Sequence, residues 1–140
     1  MIRMGPLHIF LDLSLKIEDG FLSSKIYDKR DVFNFSVVNF PFLSGNIPNR
    51  SSYGVFIGEL VRYTRECTYI DDFKCKTKHT IFKLLKQHFT PKMLKRSWSK
   101  FCRNHVLLIQ KFGSIILSLS EECFWSRICV EIIFFFLWNI

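Results

Sequence analysis

The chain has 140 residues, of which 49% are hydrophobic and 16% aromatic. That is enough for one small domain with a core of its own, so disorder is not the default. Twenty Lys and Arg against 12 Asp and Glu give a net charge of +8, which excludes an acidic surface and points to polyanionic partners.

In chain order, the first signal is "HIFLDLSLKIEDGFLSSKIYDK". Ile9, Leu11, Leu13, Leu15 and Ile17 alternate with Phe10, Asp12, Ser14, Lys16 and Glu18 up to Asp19-Gly20. Period-2 apolarity predicts a half-buried strand, and Asp-Gly suits the type I′ turn of a hairpin. A second alternating run, "VFNFSVVNF", ends at Pro41, and Gly45 and Pro48 mark a loop reaching Ser52. Residues 8–52 are therefore expected to be β-rich.

From Tyr53 the period becomes helical. Phe56, Ile57, Leu60, Val61, Thr64 and Cys67 fall on one side and Glu59, Arg62 and Glu66 on the other, with Ser51 or Ser52 available as a cap. A second helix is expected to start at Asp71 or Asp72, whose carboxylates can accept first-turn N–H groups and complement the helix dipole. Phe73, Thr77, Ile81, Leu84 and Leu85 make its apolar face, with Lys76, Lys83 and Lys86 opposite. A third helix is predicted from Thr90 as N-cap and Pro91 at its first position to Phe112, before Gly113. Its stripe is Leu94, Trp98, Phe101, Cys102, His105, Ile109 and Phe112; Leu107 and Met93 fall outside the pattern. The tail from Ser114 to Ile140 is the most apolar part of the chain and the least regular.

The positive charge is concentrated. From Phe73 to Lys111 there are nine Lys, two Arg and no carboxylate, so this stretch carries +11, and taking +11 from +8 leaves −3 for the rest. Ordinary solvated faces mix both signs. The expected contact is weak, sequence-independent binding of nucleic acid by Lys76, Lys83, Lys86, Lys92, Lys95, Arg96, Lys100 and Arg103.

"CTYIDDF" contains a Tyr-x-Asp-Asp box, Tyr69 to Asp72, the signature that reverse transcriptases carry at their catalytic centre. Two-metal chemistry needs such carboxylates held rigidly near a third Asp, usually on a hairpin between apolar strands. The flanks here, "GELVRYTREC" and "FKCKTKHTIFKLLKQ", have helical patterns, so Asp71 and Asp72 are expected to start a helix.

Five blocks nonetheless resemble reverse transcriptases of non-LTR and Penelope-like retroelements. They are "FLDLSLKIEDG", "SSKIYDKRD", "VNFPFLSGNIP", "SYGVFIGELVRYTREC" and "DDF", in that order, and they span about Phe10 to Gly113. They look like the region just downstream of the catalytic palm. In that family the active box precedes the block similar to FLDL, whereas here it lies 57 residues beyond Leu13, counted to Ile70. The resemblance thus implies the end of a palm and a thumb-like bundle, with the metal-binding carboxylates upstream of Met1. Asp12 matches a structural position of the family.

The expected fold is accordingly α+β. An N-terminal hairpin with short strands (8–52) precedes a three-helix thumb-like region (53–113) and a divergent, apolar C-terminal helix (114–140). The expected function is that of a truncated reverse-transcriptase fragment that is not an enzyme by itself and binds template–primer weakly. Cys75 with His79 and Cys102 with His105 have helical ligand spacing, but one pair falls on a lysine face and the other on an apolar stripe, so no metal, cofactor or small-molecule substrate is expected. No nucleophile elbow or phosphate loop is legible.

The alternative is a small membrane-associated protein anchored through residues 123–140. Those 18 residues include Arg127 and Glu131 and reach only the lower limit of a span. After "KFG" the tail departs from the family, as out-of-frame sequence would. The five cysteines are odd in number, and "MIRMGPLHIF" lacks the apolar core of an export signal, so an intracellular setting, cytoplasm or nucleus, is expected over a membrane.

Overall fold

The computed structural model describes residues 7–32, 40, 42–112 and 130. It is α+β: a three-stranded antiparallel sheet in the order β1-β2-β3 followed by four helices. The strands are β1 (His8–Phe10), β2 (Leu13–Glu18) and β3 (Phe21–Ile26), with a 3-10 turn at Lys29–Val32. The helices are α1 (Asn49–Glu66), α2 (Ile70–Lys86), α3 (Pro91–Asn104) and the one-turn α4 (Val106–Ile109), which runs into a second 3-10 turn at Gln110–Phe112. The run "VFNFSVVNF" lies outside the described residues except for Val32 and Phe40, and so does the tail except for Val130.

The hairpin forms where Asp19-Gly20 places it. Glu18 pairs with Phe21, and Asp19 (φ 49°) and Gly20 (φ 82°) both take the left-handed conformation of a type I′ turn. The single strand expected from Ile9 to Ile17 is instead broken. The chain reverses at Leu11-Asp12, with Phe10 opposite Leu13 and Leu11 at φ 53°. Leucine in that region costs about 1–2 kcal/mol. The Asp12 carbonyl offsets part of this cost by accepting the Tyr27 N–H at 2.7 Å.

The sheet meets the helices at its β3 edge. The Ser24 N–H donates to Thr68 Oγ1 at 2.8 Å, the Thr68 N–H returns to the Ser24 carbonyl at 2.9 Å, and the Ser24 hydroxyl donates to the Glu66 carbonyl at 2.6 Å. One serine thus ties the strand edge to the corner between α1 and α2.

Helix α1 begins at Asn49, four residues before the expected Tyr53. Pro48 (φ −56°) presets the turn and its carbonyl accepts the N–H groups of Ser51 and Ser52. The two serines lie within the helix and provide no side-chain cap. Helix α2 begins at Ile70 after Tyr69; Asp71 and Asp72 occupy its first turn without a capping hydrogen bond, so their contribution there is to the dipole alone. Thr90 does cap α3, its hydroxyl accepting the Met93 N–H at 3.4 Å ahead of Pro91. That helix ends at Asn104 rather than Phe112, because His105 leaves helical geometry at φ −124°. Val106 and Leu107 then face solvent, while Ile109 and Phe112 return to the core.

The core is where the helices meet. Phe56, Leu60, Phe73, Ile81, Leu84, Leu94, Trp98 and Phe101 are all essentially inaccessible. The Phe73 ring lies 6.2 Å from Trp98 and 5.4 Å from Phe112, which links α2, α3 and the turn beyond α4. Aromatic pairs at such spacing contribute about 0.5–1.5 kcal/mol each beyond the area they bury. Tyr63 completes the α1–α2 contact, sharing a 2.7 Å hydrogen bond with the buried Thr80 hydroxyl.

Candidate nucleic-acid interface

Helix α3 carries the clearest charged surface, and its amphipathy explains why. Leu94, Ser97, Trp98 and Phe101 turn inward, so the intervening Lys92, Lys95, Arg96, Lys100 and Arg103 are forced outward and all five are exposed. None of them makes an ion pair within the described residues. At 1.5 Å rise per residue the stripe from Lys92 to Arg103 is about 16 Å long, and that length of duplex axis carries about nine phosphate charges.

The lysines of α2 behave differently. Lys86 is exposed near the helix end, but Lys76 and Lys83 are only half-exposed, contrary to the outward face expected of them. They flank the buried Thr80 and share one narrow polar cleft with Asp28 and Arg30 of the chain after β3 and with Glu59 and Arg62 of α1. Asp28 is the centre of that cleft. Arg30 grips it with Nε at 2.8 Å from Oδ1 and a second guanidinium N–H at 2.8 Å from Oδ2, the Arg30 backbone N–H adds 3.0 Å, and Lys76 Nζ stands 3.7 Å away. The bidentate guanidinium holds the Asp28 carboxyl well below the usual carboxylate range. Lys76 is thereby committed to an internal pair with a side chain 14% exposed, and it is not part of an open interface.

On α1, Arg62 is paired as well, but nearer the surface. Arg62 reaches Asp12, Glu59 and Glu66 at 3.5, 3.5 and 3.4 Å. Beyond α4, Lys111 is a cation outside the expected set. Its Nζ donates to the Arg65 carbonyl at 3.4 Å and lies 4.9 Å from the Phe112 ring centre, and desolvation lowers its affinity for a proton. Its proximity to α1 could not be inferred from spacing along the chain.

No family model, curated protein or solved structure matches the chain.

The remaining sequence candidates divide by exposure. Cys75 and His79 are exposed on α2, whereas Cys102 and His105 are half-buried at the end of α3; among the described residues no three His, Cys, Asp or Glu side chains gather as a metal site would require. Cys67 is buried, and desolvation pushes its thiol up. No helix among the described residues is long and apolar enough to cross a membrane, and residues 123–140 lie outside them apart from Val130. In the Tyr-x-Asp-Asp box, Asp71 is exposed and Asp72 half-buried at the start of α2, a helix rather than a strand hairpin.

Proposed function

We propose that this chain is the end-of-palm and thumb-like part of a retroelement reverse transcriptase, without polymerase activity by itself, and that it binds nucleic acid weakly through α3. The ancestry rests on the five ordered sequence blocks. The binding rests on one observation: among the described residues, five exposed cations on one helix have no carboxylate partner, whereas Arg30, Arg62 and Lys76 do.

The mechanism is electrostatic. Each phosphate neutralised by a lysine or arginine releases condensed counterions, so affinity follows salt rather than base sequence. The interface is Lys92, Lys95, Arg96, Lys100 and Arg103, with Lys86 at its margin; Lys76, paired with Asp28, and Lys83, in the same cleft, lie outside it. The experiment is titration of an RNA–DNA primer–template duplex at several salt concentrations. Affinity that stays constant with salt refutes the reading. The ancestry is tested separately by the nucleotide sequence upstream of Met1, where a palm with its own Tyr-x-Asp-Asp hairpin is expected, intact or decayed; the lack of one in every frame refutes it.

A further inference from the structure

Two residues of the Tyr-x-Asp-Asp box have a second setting. Tyr69 and Asp72, at the start of α2, line an open groove of about 500 Å³ together with Leu7, Ser14, Lys16 and Lys25. Its other wall is the sheet face that carries Ser14, Lys16 and Glu18 on β2, paired across to Lys25, Ser23 and Phe21 on β3.

Three groups in this groove are chemically unfinished. Ser14 is 4% exposed, yet its hydroxyl has no hydrogen-bond partner, and a buried polar group left in that state calls for an explanation. Lys25 is exposed and Asp72 half-exposed, and neither makes an ion pair within the described residues. Helix α2, moreover, begins there without any side-chain cap for its first N–H groups. The neighbouring polar groups are already engaged. Lys16 and Glu18 neutralise each other, the Ser23 hydroxyl donates to the Lys16 carbonyl at 3.3 Å, and the Ser24 hydroxyl is used at the α1 corner.

A ligand that completes this set must present a cation to Asp72 and an anion to Lys25, and so carry no net charge. The surface between them is apolar in character, made of Leu7, the Tyr69 ring and the lysine stems, so the body of the ligand must be apolar too. The geometry points to a short zwitterionic peptide with apolar side chains. Its ammonium group meets the Asp72 carboxylate, its carboxylate meets the Lys25 ammonium above the buried Ser14, and its side chains lie on Leu7 and Tyr69. The groove is open to solvent and has room for more than one amino acid. None of the α3 cations lines this groove, so the proposal stands or falls apart from the nucleic-acid reading.

The probe is the dipeptide Leu-Phe, titrated into the full chain by calorimetry beside its N-acetyl form, its C-amide form and sodium octanoate. Leu-Phe is expected to bind at or below about 1 mM, and each blocked form roughly fivefold more weakly, as for the loss of one partly exposed ion pair. Asp72→Asn should erase the penalty of acetylation and Lys25→Gln that of amidation, while Asp71→Asn, whose side chain does not line the groove, should change neither. Because the blocked ligands probe the unaltered chain, the test stands even for a variant that fails to fold. Failure of Leu-Phe to bind, equal affinity of blocked and free forms, or tighter binding of octanoate than of Leu-Phe each overturns the proposal.

Discussion

Replacing Arg96 and Lys100 by glutamine is the most direct test of the α3 interface. Both side chains are exposed, and surface changes of this kind shift stability by no more than about 0.5 kcal/mol, so melting should be unaltered. If all five α3 cations neutralise phosphates, log K falls with log salt at a slope of about −4.5; removing two lowers it to about −2.7. Between about 50 and 200 mM salt the unaltered chain should lose about 500-fold in affinity and the double variant about 40-fold. At about 150 mM the variant should bind about 30-fold more weakly, each lost contact being worth about 5.5-fold. Fluorescence anisotropy with a labelled primer–template at four salt concentrations reads both quantities. A double variant whose slope equals that of the unaltered chain would refute the assignment. Lys76→Gln sharpens the comparison: paired with Asp28 at 3.7 Å, it should leave the slope unchanged.

Tyr63→Phe leaves the Thr80 hydroxyl without its 2.7 Å partner inside the core and should destabilise the chain by about 1–2 kcal/mol in urea unfolding; an unchanged midpoint would place Tyr63 outside the cooperative core. The Asp28 carboxyl is depressed in the folded state, so its contribution is present above the unfolded value of about 4 and is lost as pH falls below it. Asp28→Asn should therefore be less stable than the unaltered chain at pH 7, with the gap narrowing below about pH 4; a gap independent of pH would contradict the Arg30 pairing. Leu11→Gly relieves a left-handed leucine at φ 53° and should stabilise the hairpin by up to about 1 kcal/mol in thermal unfolding, since the side chain it removes is 74% exposed. Destabilisation by that change would mean that the exposed leucine packs against something in solution.

What could be read along the chain was whatever depends on near neighbours. The Asp19-Gly20 turn, the Thr90-Pro91 start of α3 and the inward faces of α2 and α3 all follow from spacing, because turn geometry and helical period act within a few residues. Where a local signal is silent or double, the chain's neighbours in space decide the outcome. At Leu11-Asp12 the aspartate is a turn residue without the glycine that follows Asp19, and the left-handed position falls on a leucine, so the reversal is stable only once β1 has β2 to pair with. His105 fits an apolar stripe as well as a helix end, and nothing in its neighbourhood announces the change at φ −124°.

The outward positions of Lys92, Lys95, Arg96, Lys100 and Arg103 belong to the sequence itself, since an amphipathic helix has only one side left once Leu94, Trp98 and Phe101 are buried. The fate of Lys76 was decided elsewhere: a lysine on the edge of an apolar stripe can point to water or to a partner, and only the folded chain brings Asp28 within 3.7 Å from 48 residues away. The same holds for Tyr69 and Asp72. The sequence could place them at the start of a helix, but the groove they line exists because Ser24 ties the β3 edge to that corner, a contact spanning 44 residues. Short-range chemistry determined the elements and their faces; which cations are spent and which polar groups are left unfinished depends on contacts between distant segments, and those form only in the tertiary structure.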